Sequence, residues 1–158
     1  MEHVFRQWIS MHRAMIAWFH AAHHCTKGIG FAGDHVNIYG RMYLDLEGDF
    51  DGLIEKCMGL TNDETLANPM SILSLAANLL AKYPTPSDRG AEEISYDALE
   101  IIKSYIEYLE QVHRQLENTK YLTLGLVDMI SVMANNYETF VYLLQQRNKA
   151  IVCRIPEN

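Results

Sequence analysis

The chain has 158 residues, 49% of them apolar, and a formal net charge of −7 at neutral pH. That length suits a single domain over residues 1–158 whose core needs no structural metal or disulfide, and the apolar content argues against disorder. No uninterrupted apolar run reaches the roughly eighteen residues of a membrane span, and no cluster of Lys and Arg supplies a nucleic-acid footprint, so neither a membrane nor DNA is expected as a partner.

In chain order, residues 4–25 place Trp8, His12, Met15/Ile16, Phe19 and His23 at the three-to-four spacing of one helix face. Gly28, Gly30 and Gly33 end that helix. Asp34 is suited to cap a second helix running to about Leu60, with Gly59 as its stop. After the polar linker TNDET, Pro69 fits the first turn of a short helix, NPMSILSLAANLLAK, and Pro84 and Pro86 forbid its continuation. Ser95 or Glu93 opens a third helix with the stripe Leu99, Ile102, Ile106, Leu109 and Val112/His113, ending near Asn118; a fourth runs from about Leu122 to Arg147. No segment of useful length alternates with period two, so the expected class is all-α. Roughly 35 residues join the second and third long helices and contain the short one. The opening MEHVFRQWISMHR lacks the pattern of an export signal, and Cys25, Cys57 and Cys153 are an odd set without metal-ligand spacing. Free thiols and a cytoplasmic location are therefore expected.

The residues that carry chemistry are His23, His35, Asp51 and Glu55. His23 falls near the end of the first helix and His35 beside the start of the second. Asp51 and Glu55, four apart, project from one helix face a turn apart. Imidazoles and carboxylates on two helices of a bundle suit iron, and zinc fits the same donors. The alternatives are a core histidine at position 23 satisfied by a carbonyl, and a solvated acidic face continuing from Glu47. His12 lies about 16 Å from His23 along the axis and cannot share its metal, so it is expected to pack or to meet a neighbour. His24 is either surface-facing or a spare ligand, and Glu110 with His113 is expected to form a local helix pair. An ordinary di-iron site within one bundle is not supplied: Glu110-Gln-Val-His113 has no counterpart, and no carboxylate lies between Glu2 and Asp34.

Three blocks of the chain resemble the mini-ferritins, the Dps-like branch of the ferritin-like superfamily. The first is His23-His24-Cys25-Thr26-Lys27-Gly28 followed by Phe31 and His35, the second Asp51-x-x-x-Glu55-Lys56, and the third Asp128-Met-Ile through Asn136-Tyr137-Glu138 to Tyr142-Leu143-Leu144. Together the resemblance spans roughly residues 10 to 148. It implies a ferritin-like four-helix bundle with a long crossover between helices two and three containing a short helix.

The resemblance further implies that His23 and His35 of one subunit and Asp51 and Glu55 of its two-fold neighbour bind Fe(II) together. The activity would be that of a ferroxidase, oxidising Fe(II) with peroxide or dioxygen and storing ferric iron within a homo-oligomeric shell, a dodecamer built from two-fold dimers. The family's carboxylate one turn after the second histidine is replaced by Tyr39, read as a hydrogen-bond donor beside the metal ligands or as a weak ligand itself. His35 and Asp51 are also one residue further apart than is usual in the family, which predicts a π-bulge or bend near Gly40 or Gly48. Two alternatives stand beside this reading: a non-catalytic structural or DNA-protecting shell with a degenerate iron site, and a DinB-like metal-dependent hydrolase using three histidines.

Overall fold

The computed structural model describes residues 2–149; Cys153, Arg154 and Glu157 lie outside them, and with them the expected third free thiol. The elements are α1 (Glu2–Cys25), a π-helical segment (Gly33–Gly40) running directly into α2 (Arg41–Thr61), α3 (Pro69–Leu80), α4 (Ala91–Leu116) and α5 (Leu124–Arg147). Among the described residues there is no strand, as the absence of period-two patterning predicted.

Most helix ends follow from local chemistry. Gly28, with φ +80, takes the left-handed turn after α1 that a side chain would strain. Pro69 occupies the first turn of α3 behind Asn68, whose side chain accepts from the Ser71 amide at 3.1 Å. Thr123 caps α5 by accepting from Leu126 N–H. Two expected ends differ. α4 starts at Ala91, not at Glu93 or Ser95, because the Glu93 carboxylate reaches back to accept the Gly90 amide at 2.8 Å. Asp34 does not cap the second helix: it is buried at 2% exposure and bound by Arg147 Nε at 3.0 and 3.1 Å. The local irregularity expected near Gly40 or Gly48 is found as π-helical turns over Gly33–Gly40, while Gly48 lies within regular α-helix.

Long-range contacts give the helix directions. At one end of the bundle Arg6 at the start of α1 bonds Thr65 just past α2, and Phe5 packs edge-on against Tyr121 between α4 and α5. At the other end His23 meets His35, and Arg147 joins Asp34 to Glu92. Hence α1 and α5 run one way and α2 and α4 the other. With α2 and α4 parallel, the connection must travel the length of the bundle, and α3 is built into that passage, packing Ile72, Ala76 and Leu79 inward. Trp18 Nε1 ties its far end to α1 by donating to Pro84 O at 2.8 Å.

The core is apolar with a polar thread through its middle. Phe5, Trp8, Met15, Phe19, Leu46, Leu53, Ile102 and Leu109 are fully buried, and between them His12 joins Tyr105 of α4 and the Leu46 carbonyl of α2, the latter at 2.7 Å. Tyr137 of α5 donates to Asp49 of α2 at 2.7 Å. The middle of the bundle, where a di-iron site within one chain would lie, is thus filled by two Tyr, one His and one Asp. His12 is the packing residue that its position predicted.

Burial lowers the His12 pKa from 6.5 to about 4, although its bond to the Leu46 carbonyl favours the charged form. The unfolded chain therefore takes up a proton that the folded chain refuses between these values. The stability that neutral His12 gives is complete above pH 6.5 and drains away as pH falls towards 4, by about 3 kcal/mol. Urea unfolding across this range should show the slope, and His12→Leu, while less stable throughout, should flatten it; an unchanged slope would remove His12 as its source.

Candidate metal centre

The two imidazoles singled out in the sequence lie face to face. The rings of His23 and His35 are 3.7 Å apart at centroids and 17° from parallel, and Phe31 continues the stack on the outer side of His35 at 4.8 Å. Their hydrogen bonds are crossed: His23 Nδ1 meets the carbonyl of His35 at 2.8 Å, and His35 Nδ1 meets the carbonyl of His23 at 2.7 Å. A carbonyl only accepts, so each Nδ1 carries the proton and donates. In the neutral rings both Nε2 atoms then keep their lone pairs. A backbone carbonyl fixing the far nitrogen is the arrangement that orients metal-binding histidines.

The fold makes this stack possible through one glycine. A Cβ at Gly40 would lie 2.6 Å from the His35 carbonyl oxygen and 3.2 Å from His23 Nδ1, so any side chain there would push the first ring out of its seat. The π-helical turns bring the backbone of residue 40 under that carbonyl.

The two carboxylates are elsewhere in the chain. Asp51 and Glu55 are exposed on α2, and sixteen residues of helix separate Asp51 from His35, roughly 20 Å or more along the axis. Among the described residues no group of three or more His, Cys, Asp and Glu side chains lies close enough to hold a metal. One chain therefore brings together His23 and His35 but neither of these with Asp51 or Glu55.

Tyr39 is fully buried, and among the described residues its hydroxyl has no hydrogen-bond partner. Burial, reinforced by the Asp34 carboxylate, holds its pKa above the ordinary phenol range. The Tyr39 ring thus sits inside the bundle, with its hydroxyl held in the protonated form by its surroundings. Glu110 and His113 also differ from expectation: Glu110 pairs with Arg114 at 3.3 Å and His113 with Glu117 at 3.7 Å, each with a partner four residues on.

Two residues near the stack were missed. His20, one turn before His24 on the exposed side of α1, lies 4.7 Å from it ring to ring, and Tyr43 of α2 lies 4.6 Å from His20 and 5.2 Å from His23. The four-residue spacing of His20 and His24 was the available signal. No protein-family model matches the chain, and no curated protein matches it.

Proposed function

We propose that this protein is a mini-ferritin-type subunit that binds Fe(II) between two copies of itself and oxidises it. The observation that carries the reading is the crossed pair of carbonyl bonds, which aims the protonation of two stacked imidazoles so that both Nε2 atoms are free donors. Antiparallel α1/α2 and α4/α5 pairs with a lengthwise crossover are compatible with a ferritin-like bundle.

The missing donors have a route to the site through symmetry. Val36 of the π-helical segment and Leu44, Glu47, Asp51 and Glu55 of α2 are all exposed along one outer stripe, with Val36 at 59% and Leu44 at 56%. Two α2 helices packed antiparallel with Leu44 on the axis would set Glu47 opposite Arg41 of the other copy and the Asp51–Glu55 turn opposite His35. An isologous contact repeats the arrangement at both ends, giving two mixed imidazole and carboxylate sites per dimer. Such donors suit Fe(II) with positions left for oxidant, and Zn(II) can compete for them. Fe(II) is the substrate: two ferrous ions each give one electron to a peroxide, whose O–O bond breaks, and two protons are taken up as two waters leave. The chain's part is to hold the ions by Nε2 and carboxylate oxygen and to keep the imidazoles oriented.

The test is peroxide-dependent Fe(II) oxidation with metal analysis, together with particle size. A shell of twelve 18.1 kDa chains should elute at about 217 kDa. Gly48 lies on this stripe with nothing within 4 Å of an added Cβ, so Gly48→Glu should leave the subunit folded and break the shell. An oxidation rate unchanged in Asp51→Ala would defeat the reading. A non-catalytic shell is the second reading, favoured by the buried Tyr39 where the resembled family has a carboxylate; it predicts the large particle without iron oxidation.

A further inference from the structure

We propose that His20 and His24 form a second binding site, adjoining the inner stack through His23, for a borderline divalent cation of the zinc or cobalt kind on the outer face of α1. Both rings are exposed, and their Nε2 atoms face one another at 3.1 Å. Two nitrogens so spaced, each at the usual metal–nitrogen distance of about 2.05 Å, subtend about 98° at a shared ion, between the tetrahedral and octahedral angles. Residues four apart on a helix hold this spacing without any movement of the backbone. Without an ion one Nε2–H donates to the other, so the ion replaces a single exposed hydrogen bond.

The Tyr43 ring, 4.6 Å from His20 and tilted 34° to it, restricts the first imidazole on the side facing α2. Both donors come from one chain, so binding does not depend on the assembly or on the iron reading above. The pair is also chemically distinct from the inner stack: His23 and His35 spend Nδ1 on backbone carbonyls, whereas His20 and His24 turn Nε2 to each other. With two protein ligands the remaining positions belong to water, and the affinity is that of a chelate of two, below that of a closed site.

The experiment is calorimetric titration of the full chain with Zn2+ alone, in a His23→Ala/His35→Ala background that removes both members of the inner pair, His23 lying 4.9 Å from His24 ring to ring, with circular dichroism and melting to verify folding. One Zn2+ per chain is expected, weakened at least about tenfold by adding either His20→Ala or His24→Ala, as removal of one of two donors requires. Co2+ in place of Zn2+ should give visible ligand-field bands that vanish in the same two variants. Absence of Zn2+ binding in the His23→Ala/His35→Ala background overturns the proposal, as does binding that survives both His20→Ala and His24→Ala together. Because the inner pair is already gone, neither result bears on iron oxidation.

Discussion

Co-expression of chains carrying His35→Ala with chains carrying Asp51→Ala is expected to restore about a quarter of the parent's iron-oxidising rate, while each variant alone loses about a hundredfold. In a two-fold dimer each site takes its imidazoles from one copy and its carboxylates from the other. A mixed dimer then concentrates both defects in one site and leaves the second intact. Random pairing makes half of the dimers mixed, each with one working site of two. No arrangement of donors within a single chain yields this result, because every chain in the mixture lacks one. The separation of His35 and Asp51 along one helix makes the question sharp. Failure of the mixture to exceed the single variants would reject the shared site, and full activity in Asp51→Ala alone would reject the carboxylate's role.

Arg147→Met is expected to destabilise the subunit by about 3 kcal/mol, the scale for stranding a buried charge, and to lower its melting temperature by roughly 6–12 °C. Arg147 is the partner of Asp34, which is buried at 2% exposure, and its other two nitrogens hold the Glu92 carboxylate at 3.0 Å each. The exposed Glu92 bonds contribute little by themselves; the cost arises at Asp34, left in the core without a counter-charge. Asp34 immediately precedes His35, so the clamp also fixes where the π-helical turns begin. Arg147→Met with Asp34→Asn should recover much of the loss, since no charge is then left unpaired. Thermal melts of the two single variants and the double variant measure this coupling. If Arg147→Met melts with the parent, Asp34 is reaching water and the clamp is not structural.

Much of the fold was legible because its determinants are local. The stripe Trp8, Met15, Phe19 reports one face of α1 by its spacing, and Pro69 behind Asn68 announces α3 by its missing amide and its cap. The spacing of His35 and Asp51 suggested a π-bulge or a bend near Gly40 or Gly48, and π-helical turns over Gly33–Gly40 are found. The site was legible only in part. His23 and His35 were drawn together by their place on either side of a glycine-rich turn, but the crossed carbonyl bonds depend on the close pass at Gly40. His20 was overlooked although its four-residue spacing from His24 was visible, because only the fold shows that the two rings face each other.

The sequence by itself determined the helices, their approximate ends and which faces turn inward, because periodicity and capping act within about four residues. Only the tertiary structure decided the protonation and burial of the polar groups. Asp34 has the composition of a cap yet becomes a buried partner of a residue 113 positions away, and His12 stays neutral because α2 and α4 close over it with Leu46, Phe50 and Tyr105. A side chain's charge and hydrogen-bond partners depend on what the fold stacks against it, and those neighbours are remote in the chain.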